Sequence, residues 1–131
     1  MSKNLTGNYN RIPRIFWNRY KNGKLVYESP YINLSTKAKW LYITLKDYEN
    51  AFTGFERDLY REHIPQKYHN EDWFYVDDKT LAKQANIRMT SFKEAKKELQ
   101  ASGLIECFLI PRNIKNPKEN GYHVTGYVLY P

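Results

Sequence analysis

The sequence is poor in the residues that most often announce chemistry. It has one cysteine, Cys107, so no internal disulfide can form. That residue lies in an apolar run, where a small buried side chain is the expected role. The three histidines, His63, His69 and His123, do not stand with Cys107 at any spacing of a structural zinc site. Glycines are few, and Gly7, Gly23 and Gly54 are isolated, so no G-x-x-x-x-G-K-[ST] phosphate loop is present. No Ser or Cys stands in the context of an activated nucleophile. The carboxylates of Glu71-Asp72 and of Asp77-Asp78 are adjacent, and adjacent carboxylates on a helix point in different directions. Helix capping accounts for the second pair without catalysis. An enzyme is not expected, nor a metal, nor a cofactor. No stretch nears the roughly 20 apolar residues of a membrane span. The polar N-terminus lacks the apolar core of a signal peptide. A cytoplasmic chain is the expectation.

What is present is positive charge and aromatic surface. Twenty-one basic residues against 14 acidic ones leave +7, which favours a polyanionic partner. The excess is uneven. Residues 1–34 carry six cations against Glu28, and residues 77–103 carry a smaller surplus, whereas 51–76 are net acidic. Twelve tyrosines can fill a core or stack on bases, so their number does not choose between the two. The 131 residues fit one compact domain.

The stretch from Asp77 to Ile105 reads as two short helices, a tight turn between them, and a strand. Asp77 or Asp78 is suited to cap the first helix. Leu81, Ala82 and Ala85 make its apolar face. Asn86 tolerates the left-handed backbone that ends it. The second helix is expected to start between Arg88 and Ser91, with Ser91 and Glu94 as a capping box. Phe92, Ala95 and Leu99 form its inward stripe, and Gly103 its end. Rotation of about 100° per residue then turns Thr90, Lys93, Glu94 and Lys97 outward. Hydroxyls followed by lysines suit base edges and phosphates. An ordinary solvated face would carry the same residues.

In chain order, residues 1–10 are polar. Arg11 to Trp17 reads as an extended arm or short turn, whose Ile12, Ile15, Phe16 and Trp17 dock on the core. Arg11, Arg14 and Arg19 are placed to reach phosphates, or merely to solubilise the arm. Asn22-Gly23 signals a turn. Ser35 caps a long helix in which Ala38, Leu41, Leu45 and Tyr48 recur on one face. Trp40, Tyr42 and Ile43 widen that face, which a partner chain could help cover. Phe55 to His63 fits a short helix before Pro65. The rest of 51–72 carries no readable chemistry. Trp73 to Val76 is a strand signal, and Leu104–Ile110 and Tyr122–Tyr130 make two more, joined by the basic segment 111–121 as a projecting loop.

This order is an α+β winged helix-turn-helix, α-β-α-α-β-wing-β, spanning residues 35–131 behind an N-terminal arm, 1–34. KELQASGLIE at 97–106 resembles the end of the recognition helix and first wing strand of many prokaryotic winged-helix proteins. IPRIFW, LSTKAKWLYITLKD and WFYVDDKTLAKQANI resemble the N-terminal DNA-binding domain of plasmid and phage replication initiators and replisome organisers. The resemblance covers residues 11–50 and 73–110. It implies sequence-specific binding of double-stranded DNA at an origin or operator, as a homodimer, with other replication proteins as further partners. It places Arg88, Thr90, Ser91, Lys93 and Lys97 at recognition-helix positions, and Arg112, Lys115 and Lys118 as wing cations. Two departures stand out. Segment 51–72 is longer than the usual connection, and the sequence stops at Pro131 short of the further domain that initiators use to recruit other replication proteins, as expected of a small regulator or an initiator fragment. A small transcriptional regulator of a mobile element is the companion reading. A protein-interaction module, using the aromatic first helix and the acidic 51–72 segment, is a reading from another class. Single-strand binding by exposed aromatics is a third.

Overall fold

A computed structural model describes residues 14–51, 54–111 and 123–130 of the chain. A single 3-10 turn, Arg14–Phe16, leads into a two-stranded hairpin, β1 (Arg19–Lys21) and β2 (Lys24–Tyr27). Then come α1 (Thr36–Ala51), α2 (Gly54–Tyr60), β3 (Phe74–Val76), α3 (Asp78–Ala85), α4 (Met89–Ser102), β4 (Ile105–Pro111) and β5 (His123–Leu129). The expected wing loop lies outside the described residues. The strands that carry it are antiparallel, in unbroken register from Ile105↔Leu129 to Pro111↔His123.

Local chemistry explains most of the element ends. The Ser35 hydroxyl accepts from the Ala38 N–H at 3.1 Å and so caps α1. Asn86 sits at φ 57° and closes α3, with the Ile87 N–H donating to the Ala82 carbonyl at 2.9 Å. Gly103, at φ 82°, closes α4 in the same way. Two expected caps are not formed. Asp77 holds the capping position of α3 without a side-chain cap bond, and Asp78 turns away towards the sheet. The helix α4 begins at Met89 with Arg88 as its N-cap residue, three residues before the position a Ser91–Glu94 box requires. The short turn after Asn86 leaves no room for a later start, because Phe92 must already point inward.

One core lies between the helices and one face of the sheet. Phe16, Leu41, Leu45, Phe74, Leu81, Phe92, Leu99, Leu104 and Tyr127 are all fully buried there. Phe16 packs edge-on to Tyr42, with ring centroids 5.5 Å apart. Ile15 packs at the margin of this core, whereas Trp17, expected to dock as well, stays 42% exposed. Its ring lies 5.2 Å from the Lys39 ammonium instead. Ile12 lies outside the described residues.

A second core covers the other face of the sheet. The strand order is β3-β5-β4, so β5 is central, and Val124 to Leu129 are buried without a break. Side chains alternate along β5: Tyr127 and Leu129 enter the helical core, whereas Val124 and Val128 enter the second one. There they meet Trp73, Ile110, Ile64 and Tyr68. This is the role of segment 54–72. Helix α2 and 3-10 turns at Arg61–His63 and Gln66–Tyr68 lie over the back of the sheet. The Phe108 ring stacks on Tyr68 at 4.6 Å and meets Trp73 edge-on at 5.9 Å. Gly126 makes that possible, since a Cβ there would lie 2.5 Å from the Phe108 ring.

Candidate nucleic-acid interface

Burial of Phe92, Ala95 and Leu99 fixes how α4 is rotated, and the helix then presents Thr90, Lys93, Glu94 and Lys97 to solvent. The Arg88 side chain is exposed at its N-terminal end. Five contacts hold the helix in that rotation. The Lys37 ammonium of α1 donates to the Ser91 hydroxyl at 2.9 Å. The Glu98 carboxylate accepts from the Ser35 N–H at 2.9 Å and from its hydroxyl at 2.7 Å. Lys96 turns inward and reaches Asp78 at 3.4 Å, with its ammonium 5.4 Å above the Tyr127 ring. Helix α1 therefore grips α4 near both ends, while α3 and β5 grip its middle.

These contacts sort the expected site residues. Thr90, Lys93 and Lys97 share the exposed side of α4 with Glu94, and Arg88 is exposed at the N-cap, on the side of α1 rather than of the β4–β5 hairpin. Ser91 is half-buried and takes its hydrogen bond from Lys37, so its part is to position the helix. Arg112, Lys115, Lys118 and Arg11 lie outside the described residues. Arg14 stands in the 3-10 turn, and its side chain likewise lies outside what is described.

A cleft of about 360 Å³ separates α4 from the β4–β5 hairpin. Lys93, Lys96 and Lys97 line its helical wall; Cys107, Phe108, Leu109 and Thr125 line the sheet. Leu109 is 65% exposed. Cys107 is half-buried rather than buried, and burial pushes its thiol up to about 11. Such a thiol stays protonated at neutral pH and is a poor nucleophile. Asp78 closes the inner end. It accepts from the Tyr127 hydroxyl at 3.1 Å and from the Thr125 hydroxyl at 3.3 Å, which satisfies two groups that folding removes from water. Burial raises the Tyr127 phenol far above its ordinary value, and the Asp78 charge beside it adds to the effect. Both hydroxyls therefore act as donors.

A second cleft, about 580 Å³, runs between the start of α1 and the turn of the helix-turn-helix. Lys37 and Arg88 both line it. Trp40 forms part of the wall and donates from its indole nitrogen to the Ala85 carbonyl at 2.8 Å. This ring thus ties α1 to the end of α3, although half of it is exposed. Sequence reasoning missed Lys37, which sits on a helix read only for its core stripe. Among the described residues no three His, Cys, Asp or Glu side chains cluster as metal ligands, and no helix is long and apolar enough to cross a membrane.

Three solved structures share this fold over all of the chain. One is the N-terminal domain of a DNA binding protein, at TM-score 0.58 and 17% identity, with 83% of that chain covered. One comes from a Rep–DNA complex, at TM-score 0.57 and 17% identity, with 84% covered. The third is an MDR initiator, at TM-score 0.55 and 20% identity, with 87% covered. No family model matches the sequence, and no curated protein matches it. At these identities the likeness establishes the fold, the winged helix-turn-helix expected from the sequence.

Proposed function

We propose that this protein binds double-stranded DNA through the open side of α4, with the β4–β5 hairpin beside it, and that it acts in replication initiation or its control. The observation that carries this reading is the exposed set Thr90, Lys93 and Lys97 on a helix held near both ends and at its middle, with Arg88 exposed at its N-terminal end. A helix fixed in this way enters a major groove without paying to be ordered. Lys93, Lys97 and Arg88 neutralise phosphates and set register. Thr90 and the exposed stem of Lys93 face base edges, which gives the binding its sequence preference. The cations of the 112–118 segment and of the arm, Arg11 and Arg14, extend the same charge.

The three structures of like fold support the reading, since they are a DNA binding protein's domain, a Rep–DNA complex and an initiator. They favour an origin over an operator as the target. A plasmid or phage source and a dimeric state belong to the same proposal, by resemblance of the sequence segments. We read the protein as a binding domain without catalytic activity. The interaction-module alternative loses part of its surface, because Ile64 and Tyr68 of the acidic segment are spent on the back of the sheet.

Fluorescence anisotropy of the whole chain with labelled duplex and single-stranded DNA, across a salt series, tests the proposal. Duplex binding that weakens steeply as salt rises is expected. A protein that leaves duplex DNA free in dilute buffer would overturn it.

A further inference from the structure

The β1–β2 hairpin is no part of the winged helix, and its sequence, RYKNGKLVY at 19–27, has three cations and no acid. Its root is fixed. The Tyr27 hydroxyl donates to the Ile15 carbonyl at 3.3 Å, and the Ser29 hydroxyl donates to the same oxygen. The Arg19 guanidinium lies 5.2 Å over the Tyr27 ring. Buried Phe16 anchors the preceding turn in the helical core. The tip, in contrast, stands free in water. Asn22 at φ 53° and Gly23 at φ 79° take the left-handed conformations of a two-residue type I′ turn, which suits the twist of a tight hairpin.

This turn brings Lys21 and Lys24 directly opposite each other, both exposed. Among the described residues neither ammonium has an acidic partner. Like charges opposed across a strand pair destabilise it. Tyr20 and Leu25, also opposite each other, are 65% and 47% exposed. The hairpin thus holds out cations and an aromatic ring at the end of an anchored ribbon, against its own repulsion. A second copy of the chain docking here would bring the same cations face to face. Charge complementarity selects a polyanion.

We propose that the β1–β2 hairpin is a second DNA-contacting element, which lays Lys21 and Lys24 on the phosphates of a duplex outside the stretch held by α4. The inference rests on the reading of α4 as a DNA-binding face and extends its footprint. The packing links the two elements through α1: the turn before the hairpin sits on α1 through Phe16 and Tyr42, and α1 in turn is bonded to α4 through Ser35 and Glu98. A ribbon of two strands fits a groove edge, its lysines reach backbone oxygens, and Tyr20 packs on the sugars between them.

The test is anisotropy with a random-sequence synthetic duplex several helical turns long, since phosphate contacts do not depend on sequence. Wild type is compared with Lys21→Ala/Lys24→Ala and with Lys93→Ala/Lys97→Ala. The hairpin variant should lose about 2 from the slope of log affinity against log salt, occupy fewer base pairs per protein in a stoichiometric titration, and keep or raise its thermal midpoint. If its slope and site size match wild type while the α4 variant loses slope, the hairpin inference fails and the α4 reading stands. If only the hairpin variant loses slope, the hairpin contact stands and the role of α4 falls. If wild type binds no duplex, both fall.

Discussion

The phenolic hydroxyl of Tyr127 lies 3.1 Å from the carboxylate of Asp78, so the central strand is tied to the first residue of α3. Lys96 reaches that carboxylate from α4. Three elements of the winged helix therefore meet at one acidic group. Replacing Asp78 by Ala strands two buried hydroxyls and an inward lysine, and should cost about 1–3 kcal/mol in chemical denaturation. Asp78→Asn keeps an acceptor and should recover much of the loss. If Asp78→Ala unfolds at the wild-type midpoint, this junction contributes nothing.

The two faces of α4 should separate cleanly. Lys93→Ala and Lys97→Ala should each weaken duplex binding and lower the salt slope by about 0.9, with no fall in the melting temperature. Phe92→Ala empties a fully buried site and should cost about 3–5 kcal/mol, whatever it does to binding. Calorimetry and anisotropy on the same three variants check both halves.

Gly126 should tolerate no side chain. Gly126→Ala drives a Cβ into the Phe108 ring and should lose about 1–3 kcal/mol through displaced packing on Tyr68 and Trp73. Combining it with Phe108→Ala should cost less than the sum of the two single changes, because the clash disappears with the ring. Strict additivity in that cycle would mean that the ring does not depend on the missing Cβ.

Cys107 should be slow to react with a thiol reagent at neutral pH in the folded protein and fast in denaturant. Its pKa rises on folding from 9.0 to about 11, so the folded state holds the proton more tightly than the unfolded one. The associated stability is fully present below pH 9 and is lost as pH rises from 9 towards 11. Denaturation midpoints across that window should fall in wild type and fall less in Cys107→Ala.

The helix-turn-helix was legible because its signals are local. Period, Asn86 and Gly103 set the helix limits, and burial of Phe92, Ala95 and Leu99 set the exposed row. The caps were misplaced for a tertiary reason: Asp78 and Ser91 are drawn to β5 and to Lys37, partners far away in sequence. The second core was hidden because Ile64 and Tyr68 sit singly among charged residues. Their purpose appears only once the sheet shows its other face. In the arm, Asn22-Gly23 revealed the turn, but strands of three and four residues, exposed throughout except at Tyr27, carry no alternation to read.

Because β5 lies in the middle of the sheet and contributes to both cores, neither layer can close until residues 123–129 are available. On the ribosome, the helices and the back-face segment emerge long before the strand that joins them, and long-range pairing of this kind is slow. A nascent chain stalled before residue 123 would carry two greasy, unfinished layers, a form that chaperones and proteases would meet first.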